Sequence, residues 1–174
     1  MSKRWKRVGA TGGMVMLAWG VLVVLYDHDV IENDYEIRRT PEDVYDFMID
    51  MRNEAKWNPD LVSMEKTTDA PPGVGTHFRA QWKGSPVIDV TCTHAERPSR
   101  IEFDNGGPFA VELDVNLSPS ALGTKVHSRM RVRPIGAARL IFPIFVQLVR
   151  HEEKGVPLNI ARALERARPP SDGH

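Results

Sequence analysis

Cysteine is almost missing from this sequence: its 174 residues include one, Cys92. A disulfide framework within the chain is thereby excluded. Net charge is missing too, with 23 Lys and Arg against 23 Asp and Glu. A general nucleic-acid binder carries excess positive charge to meet phosphates, so nucleic acid is not an expected partner. No HExxH, CxxC, GxSxG or Walker loop occurs, and Gly73-Val74-Gly75 is only a pair of turn glycines. The sequence therefore announces no enzyme, and it implies no metal and no cofactor. What it does contain is 41% hydrophobic residues over a length sufficient for a real core, which argues against disorder.

The balanced charge hides two unlike parts. Lys3, Arg4, Lys6 and Arg7 make residues 1–26 a +4 tip without an acid, which leaves a −4 body. Val8 to Tyr26 are 19 uncharged residues. As a helix rising ~1.5 Å per residue they reach roughly 28 Å, close to the ~30 Å hydrocarbon core of a bilayer. Basic residues before the stretch and Asp27 and Asp29 after it match a single-pass anchor, N-terminus cytoplasmic and body on the outer side. No small-x-small site follows, which favours a retained anchor over a cleaved signal. The alternative is a cytoplasmic chain with a soluble extension or an over-long start, because Gly9, Gly12, Gly13 and Gly20 weaken a helix.

In the body, Ile31, Tyr35 and Ile37 alternate with Glu32, Asp34, Glu36 and Arg38, the period of a half-buried strand. Thr40-Pro41-Glu42-Asp43 reads as a helix start, and Val44, Phe47, Met48 and Met51 form its apolar stripe. A second short helix is expected from Arg52 to Trp57, stopped by Asn58-Pro59. Six strand signals follow: 61–67, 76–82, 87–94, 100–105, 109–117 and 124–133, separated by Gly, Pro and Asn turns. Short links imply an antiparallel, curved sheet with one wet face. The last element is a helix from about Ala137 to Ala167. Its stripe runs through Ile141, Phe145, Leu148, Val156, Asn159 and Ala163, with a kink or an interruption expected at Pro143 and at Gly155-Val156-Pro157. No internal repeat or long linker appears.

Strand, two short helices, six strands and a long helix resemble the SRPBCC superfamily, the START/Bet v 1-like helix-grip proteins, and within it the polyketide cyclase/dehydrase-like branch. The resemblance rests on Ile37 to Asp50, on Asp50-Met51-Arg52-Asn53 with Trp57-Asn58-Pro59, and on Gly73-Val74-Gly75-Thr76-His77-Phe78. It continues through Gly123-Thr124-Lys125-Val126, Pro134-Ile135-Gly136, Arg139 to Pro143, and Asn159 to Glu165. It implies an α+β helix-grip fold over roughly residues 30–166, a curved antiparallel sheet in the order β-α-α-β6-α wrapped around the C-terminal helix. Residues 1–27 form the basic tip and apolar anchor, 28–168 the domain, and 169–174 a disordered tail.

A helix-grip fold implies a cavity between sheet and helix, and the alternation supplies its walls. They are Tyr35, Ile37, Phe78, Ala80, Trp82, Val90, Cys92, Phe103, Phe109, Val111, Leu113, Ser128 and Met130 from the strands, with Ile141, Phe145 and Leu148 from the helix. A mostly apolar wall suits a hydrophobic small molecule or lipid, although the same residues would make a packed core. His94, sharing a strand face with Cys92, and Glu152, near the helix stripe, are the weak acid/base candidates. Their plainer readings are a hydrogen-bonded strand-end histidine and a solvated turn. Cys92 reads as core, His77 and His127 as surface, and Arg129, Arg131 and Arg133 as an outer row pairing with Glu112 and Asp114.

The leading functional expectation is a membrane-tethered binder of a hydrophobic ligand. The alternatives are a polyketide cyclase- or dehydratase-like enzyme and an interaction module with a filled core.

Overall fold

The computed structural model describes residues 19–21, 23 and 28–166, with the side chains of Glu152 and Glu153 outside the description. The alternation around Tyr35 makes strand β1, Asp29–Ile37, with Ile31 and Ile37 buried and Glu32, Asp34 and Glu36 exposed. Three residues beyond its end, Thr40 caps helix α1, Pro41–Met48, its Oγ1 accepting the Asp43 amide at 3.3 Å. Pro41 occupies the first turn, where no amide is needed, and Glu42 and Asp43 face the positive end of the helix dipole. The expected second helix is a 3-10 turn, Met51–Lys56, capped by Asp50 through the Arg52 amide.

The six strands follow as expected: β2 Leu61–Lys66, β3 His77–Trp82, β4 Ile88–Glu96, β5 Arg100–Asn105, β6 Phe109–Ser120 and β7 Gly123–Pro134. All seven form one antiparallel sheet in the order β1-β7-β6-β5-β4-β3-β2. The first strand pairs with the last, so α1 and the 3-10 turn carry the chain from one sheet edge to the other. Gly123 makes the β1 contact possible. Its φ is +141°, and a Cβ there would stand 2.4 Å from the Ile37 carbonyl oxygen and 2.7 Å from the Arg39 nitrogen. Beside it, Thr124 donates its hydroxyl to the Arg39 carbonyl at 2.7 Å, and Arg39 donates to the Leu164 carbonyl at 3.0 Å. The end of β1 is thereby tied to the C-terminal helix.

The single long helix is corrected to a 3-10 turn, Gly136–Leu140, followed by α2, Phe142–Glu153, and α3, Val156–Arg166. The expected interruptions fall at Pro143 and at Gly155-Val156-Pro157, and each proline lies in a first helical turn, so the two open separate helices. Starting α2 at Phe142 also resets its buried face. Phe142 and Val146 are fully buried, whereas Ile141 and Leu148, expected on the inner stripe, are 56% and 58% exposed. Stacking fixes this phase: Phe109 lies flat against Phe145, centroids 3.7 Å apart, and 6.1 Å from Phe142. α3 buries Ile160, Ala163 and Leu164.

The expected anchor over residues 8–26, and with it the 1–27 domain boundary, lies mostly outside the described residues, as does the tail 169–174. Trp19, Gly20, Val21 and Val23, which are described, are helical. Among the described residues no helix is long and apolar enough to cross a membrane.

Candidate functional site

The inner face of the sheet carries two apolar clusters. The larger holds Ile37, Phe78, Ala80, Val90, Cys92 and Phe103 with residues of α1 and α3, and Tyr35, Trp82 and Leu113 pack against it. The smaller is Val132, Phe142 and Val146, flanked by Phe109, Val111, Met130 and Phe145. Nearly all the strand residues expected to line a cavity thus come together, but in two groups. The seam crosses β6 between Leu113 and Val111 and β7 at Ser128, which belongs to neither cluster. Leu113 faces Met130 and Val115 faces Ser128 across the strands. Leu113, Val111, Ser128 and Met130 face inward yet are only half-buried. Side chains on the core side of a fully covered sheet would be sealed, so this seam is less completely covered than the two clusters on either side of it.

One buried charge-bearing group enters the interior from the 3-10 turn. Glu54 is 8% exposed, and its Oε1 accepts the Trp82 indole N–H at 2.7 Å and the Asn58 amide at 2.6 Å. Burial pushes its carboxyl above the usual carboxylate range, and these two bonds oppose that rise. Asn58 also forms one wall of an open hollow of 360 Å³, with Ala55, Lys56, Trp57, Pro59 and, from α3, Asn159. The sequence reading passed over Glu54. A signal existed: in a 3-10 turn residues three apart share a face, which places Glu54 between Met51 and Trp57, both packed on the core.

The catalytic candidates are not assembled. β4 shifts register between Cys92 and His94, so that Cys92 faces Phe103 but His94 faces Glu102. The extra residue, Thr93, turns His94 onto the outer face and lets Ala95 pack inward in its place. His94 is therefore no cavity acid, and its ring nitrogen lies 3.8 Å from Glu96. Glu152 lies outside the description. Cys92 is buried, donates its thiol to the His94 carbonyl, and is pushed by burial up to about 11, the state of an unreactive core thiol. Among the described residues no group of three or more His, Cys, Asp and Glu stands close enough to hold a metal.

The outer face is ion-paired. Arg131 and Arg133 meet Glu112, as expected, but Arg129 meets Glu32 of β1, while Asp114 is taken by Arg100. A hollow of 330 Å³ lies over these charges. His77 is exposed and His127 half-exposed, bonded to Thr91 and Asp34.

A seven-stranded antiparallel sheet carrying a short helix and a 3-10 turn after its first strand, with C-terminal helices tied to that strand, is an α+β helix-grip fold. The family model described as polyketide cyclase / dehydrase and lipid transport matches residues 29–166, and the chain belongs to this family, within the SRPBCC superfamily. Solved structures agree on the fold at low identity. A Thermus thermophilus protein, TTHA0849, is 17% identical, with a TM-score of 0.64 over 81% of this chain and 100% of that one. Ara h 8.0201 is 15% identical, TM-score 0.61, over 80% and 99%. The di-domain ARO/CYC protein BexL, from the BE-7585A biosynthetic pathway, is 18% identical, TM-score 0.62, over 94% of this chain and 60% of that one. No curated protein matches the chain.

Proposed function

We propose that this chain binds a hydrophobic small molecule or lipid between the inner face of the sheet and helices α2 and α3. The observation that carries the reading is the half-buried inner seam of Leu113, Val111, Ser128 and Met130, where apolar side chains face inward without being sealed. Occupying that space would bury them, each complete burial stabilising the complex by about 1 to 2 kcal/mol. The break at Lys154 and Gly155 separates α2 from α3 and gives the cover a place to part. Residues 8–26 would tether the domain beside the membrane, where lipophilic molecules partition. The 19-residue uncharged stretch behind a +4 tip supports that reading. Arg150 also bonds in bidentate fashion to Asp29, where that segment enters the sheet, at 2.6 and 2.7 Å.

Native mass spectrometry after gentle purification tests the binding. A co-purified lipophilic mass, or saturable enhancement of 1-anilinonaphthalene-8-sulfonate fluorescence, is expected. A chain that neither carries a ligand nor takes up the dye has a filled core, and the proposal fails. The tether is tested separately by washing membranes with alkaline carbonate, since release of the full chain into the supernatant removes it. The cyclase-like alternative is weakened by the outward turn of His94.

A further inference from the structure

One side of α2 is apolar and uncovered. Ile141, Ile144 and Leu148 recur at i, i+3 and i+7, which puts them on one side of the helix, and each is more than half exposed. Leu140, the last residue of the preceding 3-10 turn, is exposed as well. Single exposed apolar residues are ordinary, whereas a row of them marks a surface that meets something other than water. The row is not displaced core, because Phe142 and Val146 on the opposite side of α2 already make its contact with the sheet. From Phe142 to His151 the helix carries no acid, and Arg139 stands exposed where the row begins.

Where α2 is tied decides what meets this row. Arg150, in the last turn of the helix, bonds through two nitrogens to Asp29 at 2.6 and 2.7 Å. Asp29 stands three residues after Tyr26, the end of the uncharged stretch. Three residues reach at most about 10 Å, and a helix with its side chains is about 10 Å across. α2 is therefore held within about one helix diameter of the end of that stretch. Of the stretch itself, Trp19 and Val21 are described and exposed, so that turn does not cover the row. We propose that the outer side of α2 lies on the bilayer surface into which residues 8–26 insert, with Ile141, Ile144 and Leu148 seated in the lipid below the headgroups and Arg139 at the headgroup level. The inference rests on the tether proposed above and adds the surface by which the domain meets the lipid. An apolar row without acids and with a cation at its edge is the composition of a helix that lies in a membrane interface.

The test uses the full chain reconstituted in vesicles of phosphatidylcholine and phosphatidylglycerol. Cys92 is buried, so an environment-sensitive dye can be placed on one introduced thiol, in Ile144→Cys, in Leu148→Cys or, at the far edge of the sheet, in Val62→Cys. All three positions are exposed, and none of the replacements touches the core. The dye at 144 and at 148 should shift to the blue and lose emission to a nitroxide carried on the lipid chains, and the dye at 62 should do neither. Dyes at 144 and 148 as insensitive to the lipid nitroxide as the dye at 62 overturn the proposal. Shielding from aqueous iodide without lipid quenching also overturns it: a second copy covers the row if the shielding grows with chain concentration, and the chain's own residues do if it does not. Adding Leu148→Asp to the Ile144→Cys chain should reduce the lipid quenching, because a carboxylate is repelled from the apolar layer; unchanged quenching means that the tether alone brings the dye to the membrane, and the docking fails. Carbonate extraction separates the two readings. A chain released by carbonate loses the tether and this docking with it, whereas a chain retained with its dyes at 144 and 148 in water keeps the tether and loses the docking alone.

Discussion

Replacing Gly123 by alanine should break the grip between the first strand and the C-terminal helix. The added Cβ would lie 2.4 Å from the Ile37 oxygen, 2.7 Å from the Arg39 nitrogen and 2.8 Å from the Arg39 oxygen, all backbone atoms that no rotamer change can move aside. The φ of +141° adds strain of about 1 to 3 kcal/mol for a residue with a side chain. Relieving the clash means displacing Arg39, which gives up the Thr124 hydroxyl bond and the bond to Leu164, each worth about 1 kcal/mol. The expected loss is about 3 to 5 kcal/mol, out of a total stability of roughly 5 to 15. With a urea slope of about 2 kcal/mol per molar for a domain of this size, the unfolding midpoint should drop by about 1.5 M or more. Thr124→Val removes only the hydroxyl bond and should cost about 1 kcal/mol. Equilibrium urea unfolding of the three proteins decides the matter. A Gly123→Ala midpoint no lower than that of Thr124→Val would refute the close-approach argument.

Glu54 gives a pH signature. Its carboxyl is raised in the folded state by burial, so its contribution to stability is fully present below the unfolded carboxylate value and is lost as pH rises through the higher folded one. Glu54→Gln lacks that titration, so its stability relative to the wild type should improve from about pH 4 to pH 8; parallel curves would contradict the burial. Phe142→Ala should cost about 3 to 5 kcal/mol by opening a cavity in the smaller cluster. Ile144→Ser, on the exposed side of α2, should stay within about 0.5 kcal/mol, and comparable losses in a thermal melt would invert the helix phase described above. Native Cys92 should resist a thiol-reactive disulfide reagent that labels it in denaturant; fast labelling of the folded chain would show the thiol to be exposed.

Strands were the legible part, because a period of two survives wherever one face is wet. β5 runs from Arg100 to Asn105, as the turn residues on either side of it imply, and the inward rows of β6 and β7 pair as alternation requires. Alternation also explains the failure at His94. Counting by twos from Cys92 keeps it inward, but one inserted residue, Thr93, inverts every side chain after it, and no propensity marks a bulge in Val-Thr-Cys-Thr-His. The C-terminal helix failed for a related reason. Its apolar residues are numerous enough to draw two stripes, one through Phe142 and Val146 and one through Ile141, Ile144 and Leu148. The choice between them was made by where the helix begins and by Phe109 across the sheet, which is a tertiary fact.

The candidate site divides along the same line. Its apolar wall is a by-product of the strand period and could be named in advance, whereas its polar group sits on the one element whose period was misjudged. Read at 3.6 residues per turn, Glu54 leaves the stripe of Met51 and joins the solvated acids; read at 3.0, it falls between Met51 and Trp57 and is carried inward with them. Short 3-10 segments therefore hide buried polar groups from pattern reading more effectively than strands do. A fold can keep its architecture in long periodic elements and a buried polar group in a single turn. In this chain that turn is followed by Asn58, which forms a wall of the hollow and fixes the carboxylate at the same time.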